Sequence, residues 1–551
     1  MKRLLPRRTD YRIGEWRHDL IAGVTVAVVA LPLALGFGIA SGLGAEAGIV
    51  TAIVAGIAAA VFGGSDVQVS GPTGAMTVVL VPVVADVGPS GVVVVALAAG
   101  LLLAVAGYAR LGRYAGILPW PVIVGFTAGI GLLILFQQLP SAFGVPAVDG
   151  DGPTLGAMRA LTEPGQWQSG ALALFGLVVG LMLVLPRLHR ALPASLLAVT
   201  VATGVAAAFD VSAATIGHIP SGLPAPSLPG VTIADLPQLS GAILAVAALA
   251  GIESLLSAKV ADGMTDGKPL DPNRELFGQG IANVAVSFFG GMPATGAIAR
   301  TAVNVRSGAR TRAAAIAHSV VLVVVVVSLA PLLGRIPLAA LAGVLAVTAV
   351  RMTEPAAVIR IARARGSDAL LVVVTAGSTL AFDLVIAVGV GIALAGLLAL
   401  RAIATNTTFD SEPIEAIDGI ELTAELEHAL LQRHIVAYRL DGALFFGAAE
   451  RFLVELTQIS DVDVVILRLE RLRMLDSTGA QALAELIGHL EDRGITVLLT
   501  SVRPEHQRLL ERIGALDTLA HRNHLLPGIG EALDHAWSHR MRAVSSELQP
   551  G

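Results

Sequence analysis

Val69-Ser70-Gly71-Pro72-Thr73-Gly74-Ala75-Met76 and Gly290-Gly291-Met292-Pro293-Ala294-Thr295-Gly296-Ala297-Ile298-Ala299-Arg300 break an otherwise apolar chain, and their likeness to each other decides the fold. Each has a proline, a threonine-glycine-alanine run and then a helical apolar pattern; the prolines are separated by 293 − 72 = 221 residues. The first long apolar segments of the two halves open near Ile21 and near Gly241, at almost the same offset. In lipid, backbone leaves the helix only where it lines a cavity or is buried in protein. A matched pair of interrupted hydrophobic segments therefore points to the central site of a secondary transporter.

Composition agrees. The 551 residues are 54% hydrophobic and 14% charged, against roughly 25% charged in soluble proteins, and mean hydropathy is +0.76. Sixty glycines and only 4% aromatics suit close helix packing through small residues. Cysteine is absent, which excludes disulfides and thiolate metal sites. The net charge of −5 sums two unlike regions and gives no sign of nucleic-acid binding. The basic start, Met1 to Asp19, leads into an apolar stretch too long for a signal peptide, so none is expected.

Apolar segments of spanning length fall near 20–40, 45–62, 91–108, 118–139, 169–186, 193–209, 240–260, 313–333, 336–351, 367–382 and 384–401, with shorter ones at 68–86, 279–291 and 294–307. They predict an α-helical membrane protein of fourteen segments, seven plus seven. Positive charge sets the orientation. Lys2, Arg3, Arg7, Arg8, Arg12 and Arg17 put the N-terminus inside. Arg110 and Arg113, Arg187 and Arg190, Lys268 and Arg274, Arg306, Arg310 and Arg312, and Arg351, Arg360, Arg363 and Arg365 then fall on inside loops. Outside, 210–239 has no Lys or Arg, and 141–168 has Arg159 against Asp149, Asp151 and Glu163. Asp66, Asp262, Asp266 and Asp383 read as loop or cap residues.

After Arg401 the texture becomes soluble α/β. Strands are predicted at 434–440, 462–469 and 495–500, with helices at 448–459, from Asp476-Ser477-Thr478-Gly479 to about Arg493, and around 505–513. The predicted boundaries are a cytoplasmic N-terminus over 1–19, a transmembrane domain over 20–405, a linker over 406–421, the α/β domain over 422–540 and a tail over 541–551. No nucleophile–base pair or metal cluster stands out, so neither an enzyme nor a metal site is expected.

A helix that begins in mid-membrane exposes free N–H groups and about half a positive charge. Two such starts facing each other would cradle an anion. Pro72 suits a first turn, Thr73 would cap it, and Gly74 and Ala75 would offer N–H groups. In the second copy Thr295 would cap, with Gly296, Ala297 and Ile298 as donors. Arg300 follows one turn later; a charge at that depth costs about 2.5–3.5 kcal/mol and marks function. Glu253 and Ser257, at i and i+4, share a helix face and suit a coupling proton or Na⁺. Phe37, in the corresponding first-half helix, would wall the site.

These stretches, with Glu253-Ser254-Leu255-Leu256-Ser257-Ala258, resemble the sulfate permease (SulP) family of anion transporters, and Asp476-Ser477-Thr478-Gly479 is similar to the loop of a STAS domain. The resemblance implies a seven-plus-seven inverted repeat with core and gate domains, elevator-like alternating access, a homodimer, and a multi-pass protein of the inner (cytoplasmic) membrane with its STAS domain in the cytoplasm. The N-terminal run around Phe37 resembles the Na⁺-dependent bicarbonate branch, which implies ion binding at Glu253 and Ser257 and a substrate role for Thr73. Ile298 and Arg300 depart from that branch; an arginine there is similar to proton-coupled dicarboxylate carriers and anion exchangers. The expected substrate is sulfate, bicarbonate or a dicarboxylate, coupled to H⁺ or exchanged, with Na⁺-coupled bicarbonate symport as the alternative and no cofactor. An anion channel, a nucleobase symporter, or a non-transporting sensor acting through the STAS domain are the rival readings. Ser477 and Thr478 sit where STAS antagonists are phosphorylated, or simply cap the helix after Asp476.

Overall fold

The structure, a computed structural model, describes residues 16–113, 119–146, 153–189, 192–227, 236–265, 269–364, 366–382, 384–405, 408–412, 435–445 and 462–547. The chain forms two compact units, Met1–Ala393 and Leu394–Gly551. The first opens with α1 (Trp16–Ala40), α2 (Ala45–Phe62), the two-residue strand β1 (Ser70–Gly71) and α3 (Gly74–Asp86). Then come α4 (Pro89–Tyr108), α5 (Trp120–Phe143), α6 (Pro153–Thr162), α7 (Ser169–Leu188) and α8 (Ala194–Ala208). The same order returns as α9 (Leu236–Asp262), α10 (Pro272–Ser287), β2 (Thr295–Gly296), α11 (Ile298–Arg306) and α12 (Ala313–Leu333). It closes with α13 (Leu338–Met352), α14 (Pro355–Ala364), α15 (Gly366–Ala381) and α16 (Leu384–Thr405), the last running past the boundary.

Exchanging the halves maps the packing onto itself. α1 packs on α11 as α9 packs on α3; α4 on α10 as α12 on α2; α5 on α15 as α13 on α7. β1 and β2 pair antiparallel, with Gly71 opposite Thr295 and Ser70 opposite Gly296. Gly71 and Thr295 hold the same place relative to α3 and α11, so their pairing sits where the internal two-fold must pass. Small residues permit the close crossings this needs. A Cβ on Gly107 of α4 would stand 2.6 Å from the Phe277 nitrogen of α10, and one on Gly38 of α1 would stand 2.8 Å from the Gly48 nitrogen of α2.

Among the described residues nine helical stretches are long and apolar enough to cross a membrane, and three shorter apolar helices, Gly74–Asp86, Ala194–Ala208 and Gly366–Ala381, accompany them. α10 starts at Pro272 rather than near 279. Asp271 caps it, accepting from Asn273 N and Arg274 N at 3.1 Å. The polar residues that read as loop serve the end of α2: Glu275 Oε2 accepts from Gly64 N at 2.8 Å, and Arg274 Nε donates to Phe62 O at 3.3 Å. Asp66 is the ion partner of buried Arg312, Nε to Oδ1 2.8 Å, and Arg312 also donates to the Ala60 and Gly63 carbonyls. Asp262 ends α9; Asp266 and Asp383 lie outside the described residues, as do Lys268, Arg190, Arg365 and the basic residues from Lys2 to Arg12.

In the second unit, β3 (Thr408–Glu412), β4 (Ile435–Leu444), β5 (Val464–Arg468), β7 (Thr496–Thr500) and β8 (Leu525–Leu526) lie in that order, and β6 (Leu472–Leu475) also pairs with β4. Among the described residues of this unit, only the β3–β4 pairing is antiparallel. The described helices are α17 (Ser477–Asp492), α18 (Pro504–Ile513) and α19 (Ile529–Glu547). β5 is buried throughout, as a parallel strand covered on both faces must be. Its Val465 and Leu467 face a core shared with α17 and α18, while Val464 and Ile466 meet Ala532 and Ala536 of α19. Three expectations change. β3 lies inside the stretch read as linker, β6 and β8 were not predicted, and α19 runs into the expected tail. The predicted helix at 448–459 lies outside the described residues.

Candidate functional site

α3 and α11 both start inside the first unit, a few residues beyond the β1–β2 pairing. Thr73 occupies the N-cap position of α3, yet its hydroxyl makes no cap bond. It donates instead to Glu253 Oε2 on α9, at 3.2 Å. The first-turn N–H groups of α3, those of Gly74, Ala75 and Met76, have no acceptor within the helix by construction. Phe37 of α1 stands beside this turn: a Cβ on Gly74 would lie 3.1 Å from Phe37 Cε1 and would collide with Ile134.

The second copy differs from expectation. α11 begins at Ile298 with Ala297 as its N-cap, and Thr295 does not cap it. The Thr295 hydroxyl bonds Ser254 Oγ at 3.0 Å and the Ala250 carbonyl at 3.2 Å. Gly296 N donates to Ser254 Oγ at 2.9 Å and Ala297 N to Val69 O at 3.0 Å. Two of the three N–H groups expected to face a ligand are thus consumed by the fold. Ile298 opens the helix, so the donors left by helix geometry are Ile298, Ala299 and Arg300.

Arg300 is 3% exposed. One guanidinium nitrogen, Nη2, donates to Pro72 O at 2.7 Å; the other, Nη1, is buried with no hydrogen-bond partner among the described residues. The arginine lies against Gly71, where an added Cβ would be 2.6 Å from Nη1. Glu253 therefore holds the side chain of residue 73 while Arg300 holds the carbonyl of residue 72, and the two opposite charges meet the same turn. Ser257 does not join Glu253 through any bond seen here: its hydroxyl donates to Thr301 Oγ1 at 3.1 Å, and Thr301 Oγ1 also accepts from Val69 N at 3.1 Å.

Residues that sequence reasoning passed over hold the broken backbone. Gln279 Nε2 and Asn283 Nδ2 both donate to Ala294 O, at 2.8 and 2.9 Å, and Asn283 Oδ1 accepts from Ala294 N at 2.8 Å. Thr51 Oγ1 accepts from Met292 N at 2.8 Å, and Ser70 Oγ donates to Gln279 Oε1 at 3.0 Å. Gln68 is buried against Gly296 with neither end of its amide partnered among the described residues. A local signal existed, since Gln279 and Asn283 stand at i, i+4 in the otherwise largely apolar second half of α10 and must bond something.

In the second unit Asp476 is itself the N-cap of α17, its Oδ1 accepting from Gly479 N at 2.8 Å. Ser477 and Thr478 occupy the exposed first turn and are not the caps.

A model of the sulfate permease family matches residues 16–375, and a model of the STAS domain matches 429–532. YvdB of Bacillus subtilis, named for sulfate transport, is 34% identical over 522 residues, covering 92% of this chain and 96% of its own. The bicarbonate transporter BicA of Picosynechococcus is 32% identical over 520 residues, 90% of each chain. The transmembrane domain of a cyanobacterial BicA superposes with a TM-score of 0.63 at 32% identity, covering 70% of this chain and 99% of that one. The murine anion transporter Slc26a9, in its inward-facing state, gives a TM-score of 0.81 at 20% identity over 98% of this chain and 94% of its own, a likeness of fold. The chain thus has the helical membrane fold of the solute carrier 26 transporters followed by a STAS domain.

Proposed function

The chain belongs to the sulfate permease family, whose members are transporters and not enzymes, and from that premise we propose that it carries a small anion between the starts of α3 and α11. The observation that carries this reading is Arg300: a buried guanidinium with one nitrogen committed to the Pro72 carbonyl and the other unpartnered. An anion bound there would take the free Nη1 and the first-turn N–H groups of Gly74 and Ala75, with Ile298 opposite and Phe37 as the apolar wall. Thr73, Thr295, Gly296 and Ala297 would position the site through the bonds already described.

Cargo and coupling follow from charge. Two helix starts near +0.5 each and Arg300 sum to about +2. An ionised Glu253 brings this to about +1, which suits bicarbonate; a protonated Glu253 leaves the site to sulfate or a dicarboxylate. Glu253 then serves as the proton carrier, and Arg300 repels a Na⁺ at the same place. Identity to relatives named for sulfate and for bicarbonate transport makes these two the first anions to try. With α10 and α11 added to the twelve apolar helices, we read fourteen spans, both termini on the cytoplasmic side of the inner membrane, an elevator motion of core against gate, and a homodimer. Uptake of radiolabelled bicarbonate, sulfate and succinate into proteoliposomes under imposed pH or Na⁺ gradients tests the proposal. Saturable uptake that follows the pH gradient supports it; uptake that requires Na⁺ and ignores pH removes the proton role, and absence of saturable uptake of all three removes the carrier reading.

A further inference from the structure

Three histidines that the transport reading leaves unused come together in the second unit. His535 and His539 lie at i, i+4 on α19, the spacing that puts two imidazoles on one helix face. His524 ends the short 3-10 turn Arg522–His524 that leads into β8. The ring centroids of His524 lie 5.4 Å from His535 and 5.2 Å from His539, and those of His535 and His539 lie 5.0 Å apart. One ligand atom from each of the three falls within 4.8 Å of the others.

Packing alone is a poor account of this cluster. His524 is 0% exposed, yet among the described residues neither ring nitrogen meets a partner at hydrogen-bond geometry, and the same holds for Nε2 of His535. Buried polar atoms in folded proteins are nearly always satisfied, so the unpartnered nitrogens of His524 and His535 in this cluster ask for a ligand. We propose that His524, His535 and His539 bind one divalent transition-metal ion, with zinc as the best match. An all-imidazole set of three with an open fourth position is a known zinc arrangement, with Zn–N bonds of about 2.0–2.1 Å. Imidazole is also a common ligand for copper and nickel. Three nitrogens around one tetrahedral ion stand about 3.3 Å apart, so the cluster has to tighten from separations of up to 4.8 Å to hold one ion.

The surroundings agree. Glu491 Oε1, which accepts from Val497 N at 3.1 Å, lies 4.0 Å from His524 Nδ1, close enough to become the carboxylate partner of a metal-bound imidazole only if the ring moves towards it. Exposed His521, its ring centroid 5.4 Å from that of His524, stands next to the open side. A bound ion would clip α19 to the start of β8.

The test uses the full chain, purified in detergent on a tag without histidine and stripped with a chelator. Zn²⁺ alone is titrated against a chromogenic competitor, and Co²⁺ absorption reports tetrahedral coordination. One ion per chain is expected. His524→Gln and the double variant His535→Gln/His539→Gln should each lose at least about a hundredfold in zinc affinity, since even an outer partner is worth about 10–100-fold; the exposed His489→Gln should match the wild type. Zinc should also raise the thermal midpoint of the wild type and not of the double variant. If His524→Gln fails to fold, the half-buried pair on α19 carries the test. Binding below a fifth of an equivalent per chain, or a folded double variant that still binds as the wild type does, overturns the site.

Discussion

Arg300→Ala should weaken anion binding severely while leaving the fold standing. The guanidinium gives one nitrogen to Pro72 O at 2.7 Å and leaves the other free, so the alanine removes both a fixed charge and a donor. A unit charge about 4 Å from a monovalent anion is worth about 4 kcal/mol at an effective dielectric constant of 20. Water entering the vacated space recovers part of that, and even about 1.4 kcal/mol is tenfold in affinity. The expected outcome is a rise in the half-saturating anion concentration of about 10–1000-fold, greater for a divalent substrate. Losing the bond to Pro72 costs stability too, about 1.5–3 kcal/mol for a bond from a charged donor, so thermal unfolding and gel filtration must accompany the transport assay. Arg300→Lys keeps the charge but offers a point donor in place of a fork, and should fall between the other two. The assay is the initial rate of uptake into proteoliposomes against anion concentration, using whichever anion the wild type carries. A folded Arg300→Ala with an unchanged half-saturation value would refute the electrostatic argument, and Arg300→Lys as poor as alanine would refute its charge component.

Other consequences can be checked in parallel. Glu253→Gln keeps an acceptor for the Thr73 hydroxyl but cannot titrate, so pH-driven accumulation should fall at least about tenfold while anion-for-anion counterflow persists; undiminished accumulation would remove Glu253 from coupling. Gly296→Ala puts a methyl onto the Gln68 amide and 3.0 Å from Ser254 Cα, so it should destabilise by about 1–3 kcal/mol and stop uptake, whereas Gly241→Ala, with nothing within 4 Å, should do neither. Asp476→Ala should cost the STAS unit about 1 kcal/mol through the lost cap, read as a lower unfolding midpoint. Burial is the first cause holding the His506 imidazole below its usual 6.5. Because the folded state resists its protonation, stability is retained above that value and lost as pH falls below it; His506→Gln should flatten this slope in denaturant titrations.

How far the fold was legible follows from what lipid forbids. Hydrophobic length gave most helices, and the two breaks showed themselves because exposed backbone has no other reason to occur at that depth. Arg300 and Glu253 stood out as charges in apolar surroundings. Local capping rules then failed at Thr73 and Thr295, since both hydroxyls are claimed by α9, which is remote in sequence. The start of α10 was misjudged because Arg274 and Glu275 look like loop until the end of α2 is placed beside them. The histidine cluster was hidden for a similar reason: the pair at 535 and 539 is visible in α19, but only the sheet brings His524 to it.

The β1–β2 pairing has a further consequence for how the site must work. Because Gly71 faces Thr295 at the internal two-fold, and Ala297 N is bonded across to Val69 O, neither helix start can shift without carrying the other. Gln279, Asn283, Thr51 and Ser254 tie the same backbone to α2, α9 and α10. A cradle held this way cannot open and close by moving its amides apart. Under the transport proposal, occupancy and protonation would then be signalled by side chains at its edge. Glu253 and Arg300 fit that role, because each has one bond to the turn at 72–73 and each meets it from a different helix. Thr73→Val separates this from a purely static cradle. Removing the hydroxyl frees Glu253 from the turn without altering charge, so coupling should loosen while anion affinity changes less than about threefold, a difference of about 0.7 kcal/mol. If Thr73→Val instead abolishes anion binding and leaves coupling intact, the threonine belongs to the anion shell and the signalling argument fails.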